Sequence, residues 1–225
     1  MKIFKALLHK DFAIEFRMKE VMVVGIAMAL LMGTIAAAGI GSAFLSQGTI
    51  TLIFPTLLWI SFLFAASLAI ARSFEYEFRN GALIGLLLSG ASPQLIYLSK
   101  LIVNLLSCSL ALIALITIMS VLLNVPVLVI LPELILISLL VLVGFVAVAV
   151  LLVPMSMGSR LKSMLLPILL LPLMFPLFFA GLELSSAIFE GVALDFTSPW
   201  VSLLVGFDVV YVAVGVNLFE HVIRE

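Results

Sequence analysis

Residues 21–71 read VMVVGIAMALLMGTIAAAGIGSAFLSQGTITLIFPTLLWISFLFAASLAIA and contain no charged side chain. A membrane-spanning helix needs about 20 apolar residues, so this stretch has room for two helices separated by the polar residues 46–49. Apolar and polar residues do not alternate here, which excludes the strands of a transmembrane barrel. The stretch therefore predicts two helical spans, near 21–45 and 50–71.

The rest of the chain has the same character. Hydrophobic residues make up 65% of the 225 residues and charged residues 10%, whereas soluble domains carry roughly 25% charged residues. No aqueous segment is long enough for a separate soluble domain, so we predict one all-α polytopic transmembrane domain over 1–225 with six spans. The other four spans are predicted at 93–123, 134–157, 163–182 and 199–219.

The positions of the charges orient these spans. With six spans, all 11 lysines and arginines fall on one side of the membrane. The charged residues of the loops on the opposite side are all acidic. Positive charges concentrate on the cytoplasmic side of membrane proteins. Both termini are therefore expected in the cytoplasm. The acidic residues of the opposite loops are Glu133, Glu183, Glu190 and Asp195.

Residues 1–20 are expected to form an amphipathic helix at the membrane surface, where its basic residues would meet anionic lipid. A basic anchor that only sets topology is the alternative. The mixed charges, with Asp11 and Glu15 among the basic residues, argue against a cleaved signal peptide. The helical wheel places Ile3, Phe4, Leu7 and Leu8 on one side and Lys2, Lys5, His9 and Lys10 on the other.

The connection at 72–92 should be the contact site for a partner. Its charged beginning is followed by a break at Asn80-Gly81, a short apolar helix, and a helix start at Ser92-Pro93. An apolar cytoplasmic helix needs a partner groove or the membrane surface, and the partner groove is favoured. The predicted docking residues are Arg72, Glu75, Glu77, Arg79, Gly81, Leu83, Leu86 and Leu87.

Two features inside the spans break the apolar pattern. Pro167, Pro172 and Pro176 remove backbone hydrogen bonds from the fifth span, which predicts either a static bend or a candidate hinge. Asp208 is an acid of unknown role within the sixth span, and intramembrane carboxylates are costly.

No motif for covalent chemistry is present in the sequence. The chain lacks a GxxxxGK[ST] phosphate loop and an HExxH metal motif, and its one cysteine, Cys108, excludes a CxxC pair. The sequence therefore predicts no catalytic residue, no metal ligand and no directly bound cofactor. Any nucleotide energy would have to come from another polypeptide.

Four sets of strings occur in a fixed order along the chain. They are Leu8–Arg17, Pro55–Trp59 with Ser67–Ala69, Phe74–Gly81 with Leu86–Ser89 and Leu98–Lys100, and Gly158–Arg160 continuing through Leu170–Pro176. Taken in this order, the strings resemble the ABC-2-type exporter permeases, and within them the CcmB family, the haem exporter B subunit of cytochrome c maturation. The resemblance covers nearly the whole chain.

This resemblance implies the membrane subunit of an ABC complex in the cell inner membrane. ATP would be used by a CcmA-like ATPase, with CcmC-like and CcmD-like membrane subunits, a CcmE-like haem chaperone and a second permease copy alongside. Haem is then the expected substrate, and no nucleic acid partner is implied. The alternatives are an ABC-2 permease for a glycan, lipid or drug, and a non-transporting membrane scaffold.

Overall fold

A computed structural model describes residues 2–18, 20–42, 46–79, 90–157 and 162–224, and the regular structure in these ranges is entirely helical. The chain forms seven helices there. In order they are α1 (Lys2–Met18), α2 (Glu20–Ser42), α3 (Gln47–Arg79), α4 (Pro93–Leu123), α5 (Leu131–Met157), α6 (Lys162–Phe189) and α7 (Pro199–Arg224).

Helices α3 to α7 each contain a segment long and apolar enough to cross a membrane. Helix α2 adds a shorter apolar segment, Val23–Gly39, at the place of the first predicted span. The prediction of an all-α polytopic membrane protein is confirmed. The five long segments are Gln47–Leu68, Pro93–Leu123, Leu131–Met155, Leu169–Phe189 and Pro199–Val222.

Helices α3 and α6 extend furthest beyond their predicted spans, and α7 continues five residues past 219 to Arg224. Helix α3 runs to Arg79 instead of ending at 71, because residues 72–79 contain neither proline nor glycine and can continue the helix into water. Helix α6 runs to Phe189 instead of 182, and it ends just before Gly191, whose φ of 84° stops the helix. The charged beginning of the 72–92 connection is therefore helical.

Helix α5 is the centre of the bundle. Of its apolar segment 72% is buried inside the protein, against 22% for the segment in α7. It packs against α3, α4, α6 and α7, while α2 packs on α3 and α4, and α1 packs on α4. Helix α7 leaves Val209 and Val210 exposed, as expected for side chains that face lipid.

Helices α4, α5 and α7 meet at Tyr97. Its hydroxyl donates a hydrogen bond to the backbone carbonyl of Ala147, 3.0 Å away, and its ring centroid lies 5.3 Å from that of Phe219. Gly215 lies directly against the Tyr97 ring, where any side chain would overlap with it. The absence of a side chain at Gly215 therefore allows α7 to approach α4 closely.

Candidate functional site

Helix α1 lies on the beginning of α4 with one face turned inward. Leu7 and Asp11, one turn apart, are both buried, while Lys5 and His9 are exposed. Ile3 was expected on the apolar face, but it is 54% exposed. Its position at the first turn of α1 leaves it free to contact lipid instead of protein.

Asp11 is held at three points at this contact. Its Oδ1 lies 3.0 Å from Nζ of Lys100 and 2.9 Å from Nζ of Lys10, and its Oδ2 accepts a hydrogen bond of 2.6 Å from the Ser99 hydroxyl. The side chains of Asp11 and Lys100 are only 2% and 6% exposed, whereas that of Lys10 is 33% exposed. The buried ion pair between Asp11 and Lys100 therefore fixes α1 to α4.

The electrostatic balance at Asp11 favours the carboxylate. Burial alone would raise the pKa of Asp11, but the Lys100 ammonium, the Ser99 hydrogen bond and the Lys10 ammonium together hold that pKa below 3.8. Asp11 is consequently ionised throughout the physiological pH range. A charge at this depth remains stable because its partners satisfy both carboxylate oxygens.

The predicted docking residues fall into two groups. Arg72, Glu75, Glu77 and Arg79 lie on the last turns of α3, although their side chains are outside the described part. Gly81, Leu83, Leu86 and Leu87 lie outside the described residues altogether. Docking at these residues stays a prediction.

The start of α4 lies between the predicted docking connection, 72–92, and the contact with Asp11. Ser92 is the N-cap and Pro93 the first helical residue, as predicted, and the backbone N–H groups of Leu95 and Ile96 bond to the Ser92 carbonyl. Lys100 follows two turns later on the same helix. The helix that begins at the end of the 72–92 connection therefore also carries the lysine that binds Asp11.

Helix α6 is continuous through its three prolines. The missing N–H of Pro176 leaves its turn without a hydrogen bond, and the carbonyl of Leu173, three residues earlier, accepts a 2.6 Å hydrogen bond from the Tyr211 hydroxyl of α7. This hydrogen bond therefore ties the turn before Pro176 to α7. Pro172 is exposed and Pro176 is half-buried. The candidate hinge at Pro167, Pro172 and Pro176 stays a prediction.

Asp208 lies inside the bundle where α5, α6 and α7 meet. It is 8% exposed, and its Oδ1 has no hydrogen-bond partner among the described residues. A Cβ atom on Gly144 would lie 2.6 Å from this oxygen. Leu177 of α6 lies against the same glycine. The glycine therefore leaves the space that the carboxyl group occupies.

Trp59 belongs to the packed core. Its indole N–H donates a 3.1 Å hydrogen bond to the Ser185 hydroxyl, and its ring lies 6.1 Å from Phe62 and 5.8 Å from Phe178, centroid to centroid. The indole is thus used for packing between α3 and α6. At 3% exposure, Trp59 has no free face to offer a planar ligand.

Metal-binding side chains do not cluster in the described ranges. No group of three or more His, Cys, Asp or Glu residues there could hold a metal ion. His9 and His221 are both exposed, on α1 and near the end of α7. In the loop between α6 and α7, Asp195 accepts hydrogen bonds from the backbone and hydroxyl of Thr197, which lower the pKa of Asp195.

This arrangement is that of a membrane bundle whose N-terminal helix is latched to α4. The model of the CcmB protein family matches residues 2–225. The chain belongs to the CcmB family. A similar protein is the "Heme exporter protein B" of Rhodobacter capsulatus, which is 27% identical over 195 residues, covering 85% of this chain and 86% of the relative.

Sequence reasoning missed one part of this CcmB-family structure. The sequence places Asp11 and Lys100 among the charges on the cytoplasmic side of the membrane, but it does not predict that they pair. Two signals could have revealed it. Asp11 falls one turn after Leu7 on the inward face, and Lys100 lies within an apolar helix, where an ammonium group requires a partner.

Proposed function

We propose that the chain is the membrane permease subunit of an ABC complex that serves haem export or haem-chaperone release in cytochrome c maturation. The observation that carries this proposal is the match of the CcmB family over residues 2–225. The name of the Rhodobacter relative, a haem exporter, supports it. A bundle of apolar helices is the architecture that such a subunit requires.

Energy for the cycle would come from a separate ATPase subunit, similar to CcmA. The sequence has no phosphate-binding loop of its own. The ATPase would bind at the connection 72–92, where leucines could supply an apolar anchor and the charged end of α3 could fix the register. The Asp11–Lys100 pair would then transmit displacement of this connection to α1 through α4.

The other expected partners follow from the family. CcmC-like and CcmD-like membrane subunits, a CcmE-like haem chaperone and a second permease copy would assemble with this chain in the inner membrane. A coupling role, without haem ligation, is part of this proposal, and the complete packing of Trp59 supports it. His9 is exposed in the middle of α1, and His221 is exposed near the end of α7.

Complementation with co-purification tests the proposal. A strain that lacks its own B subunit should regain c-type cytochromes when this chain is expressed, and the tagged chain should retain an ATPase together with haem-handling subunits. Recovery of glycan-processing or lipid-processing proteins instead would favour another ABC-2 permease. A complex whose ATPase activity and chaperone release are the same without this chain would indicate a scaffold.

The docking site needs its own test. The double change Leu83→Ala with Leu87→Ala should release the ATPase in a detergent pull-down, because truncating buried anchors commonly costs about 2 kcal/mol or more each. Glu77→Ala serves as a rim control and should weaken binding mildly, mainly at low salt, because higher salt also screens this charge in the native chain. If the leucine variant keeps its ATPase while a change at 158–162 releases it, docking occurs at the other loop.

A further inference from the structure

Asp208 occupies a closed apolar junction. It lies near the middle of the Pro199–Val222 span and is 8% exposed. Gly144 of α5 leaves room for the carboxyl group, and Leu177 of α6 packs against Gly144 beside it. The Oδ1 atom of Asp208 is therefore buried at the junction of these three helices.

No opposite charge faces this carboxyl group in the described residues. On α5, Glu133 is the one titratable residue and lies eleven positions from Gly144, roughly 16 Å along the helix. On α6, Glu183 is six positions from Leu177 and exposed, and Lys162 lies at the opposite end. Glu220, His221 and Arg224 lie at the far end of α7.

The remaining titratable groups on the neighbouring helices are engaged elsewhere. Tyr211, one turn along α7, donates its hydroxyl to Leu173. On α4, Tyr97 bonds to Ala147 and Lys100 to Asp11, while Cys108 is fully buried in that helix. The Gly144 backbone amide is the polar group that acts on Asp208, and it belongs to the hydrogen-bond ladder of α5.

Apart from the Gly144 backbone amide, an ionised carboxylate here would have neither the hydrogen-bond donors nor the counter-charge that burial requires among the described residues. We propose that Asp208 is a proton-binding site within the membrane bundle, closed by Leu177 of α6. In the closed arrangement the carboxyl group is neutral and retains its proton. In the open arrangement it transfers that proton to a water molecule, which leaves a carboxylate and a hydronium ion.

The cover of this site lies next to the proline-interrupted turn. Leu177 directly follows Pro176, and the same turn is tied to α7 by the hydrogen bond from Tyr211 to Leu173. A change in the bend of α6 at Pro176 would move Leu177 relative to Gly144 and admit water. The proposal depends on this junction alone, so it can fail or hold independently of haem export.

Selective labelling makes the site measurable, because the sequence contains only three aspartates, Asp11, Asp195 and Asp208. The full chain labelled with 13C at the aspartate carboxyl carbon should show the infrared band of one protonated carboxyl group at neutral pH. Asp11 and Asp195 should stay ionised, since their partners lower the pKa of each. Absence of a protonated aspartate band at neutral pH would overturn the proposal.

Single Asp→Asn substitutions assign the infrared band of the protonated carboxyl group to one aspartate. Asp208→Asn should remove it, and Asp195→Asn and Asp11→Asn should retain it. If Asp208→Asn does not fold, retention of the band in both other variants assigns it to Asp208 by elimination. A band that persists in folded Asp208→Asn contradicts the proposal.

The role of Leu177 is tested by the pH midpoint of the same band. Leu177→Ala should admit water and lower the proton affinity about tenfold, which is one pH unit. Leu171→Ala is the matched control, because this α6 leucine is exposed and should leave the midpoint unchanged. Equal midpoints in Leu177→Ala and the native chain would show that Leu177 does not close the site.

Discussion

Asp11 and Lys100 are 89 positions apart in the sequence, yet their side chains meet at 3.0 Å. Each is almost completely buried, and Ser99 completes the contact by bonding to the second carboxylate oxygen. The pair joins a surface helix to the helix that begins immediately after the predicted docking segment. It is therefore a buried polar contact that holds the N-terminal helix on the bundle, beside the apolar packing of Leu7.

Removing Lys100 should destabilise this connection far more than removing Lys10. Lys100→Met leaves a buried carboxylate without its main partner, which costs about 3 kcal/mol, whereas the more exposed Lys10 contributes at most about 1 kcal/mol. Thermal unfolding in detergent measures both. Adding Asp11→Asn to Lys100→Met should recover most of the loss. Equal losses for the two lysine variants would contradict the pairing.

Docking of α1 should also depend on pH in a defined direction. The pKa of Asp11 is lowered on folding, so its stabilising contribution is complete above the ordinary aspartate range and is lost as pH falls through the lowered value, below 3.8. Hydrogen exchange of the α1 amides should show protection that persists from neutral pH through the ordinary aspartate range and weakens only below it. Asp11→Asn should lack this step, and a loss already at pH 5 would contradict the assignment.

Tyr211→Phe should loosen α6 against α7. The change removes only the hydroxyl that bonds to the Leu173 carbonyl in the turn before Pro176, so about 1 kcal/mol of stability should be lost. Thermal unfolding measures the difference, with the exposed Phe196→Leu as a surface control that should cost little. An unchanged midpoint in Tyr211→Phe would mean that water or lipid replaces the hydroxyl.

Pro172→Ala tests the hinge. Alanine restores the missing backbone donor and straightens this turn, so the subunit should still assemble but should lower cytochrome c output several-fold if bending is part of the cycle. Output is measured in a strain complemented with the variant, beside the neighbouring control Leu171→Ala. Normal output would indicate that the proline bend is static.

Single-cysteine labelling tests the orientation of the spans. In a Cys108→Ser background, cysteines at 47, 130 and 192 should react with an impermeant reagent from outside, whereas 79 and 160 should react only after access to the cytoplasm. Val192 is 56% exposed, so its label should be rapid. Outside labelling at 79 would contradict the six-span orientation and the docking proposal together.

The features that the sequence predicted well depend on local signals. The beginning of α4 follows from Ser92-Pro93, and its end follows from Asn124, which adopts the left-handed conformation. The extension of α3 to Arg79 was missed, because hydropathy marks where a helix leaves the membrane and not where it ends. The Asp11–Lys100 contact could not be predicted from spacing, because it depends on how two helices pack.

The distinction between local sequence signals and contacts made by helix packing also applies to Asp208. Its depth within the last span was evident from hydropathy, but its surroundings were not. The space at Gly144 and the cover by Leu177 come from two other helices, and nothing in the local sequence of α7 specifies them. Hydropathy therefore shows where an acidic residue lies within a span, but only the packed structure shows which residues surround it.

The close contact of Gly215 with Tyr97 has a consequence for biogenesis. Tyr97 and Ala147 both precede α7 in the chain, whereas the Tyr97 ring gains Gly215 and Phe219 as neighbours only when the last helix has been synthesised. The order of synthesis therefore makes this junction one of the last parts of the bundle to be completed. A chain truncated before α7 would lack both of these neighbours of the Tyr97 ring.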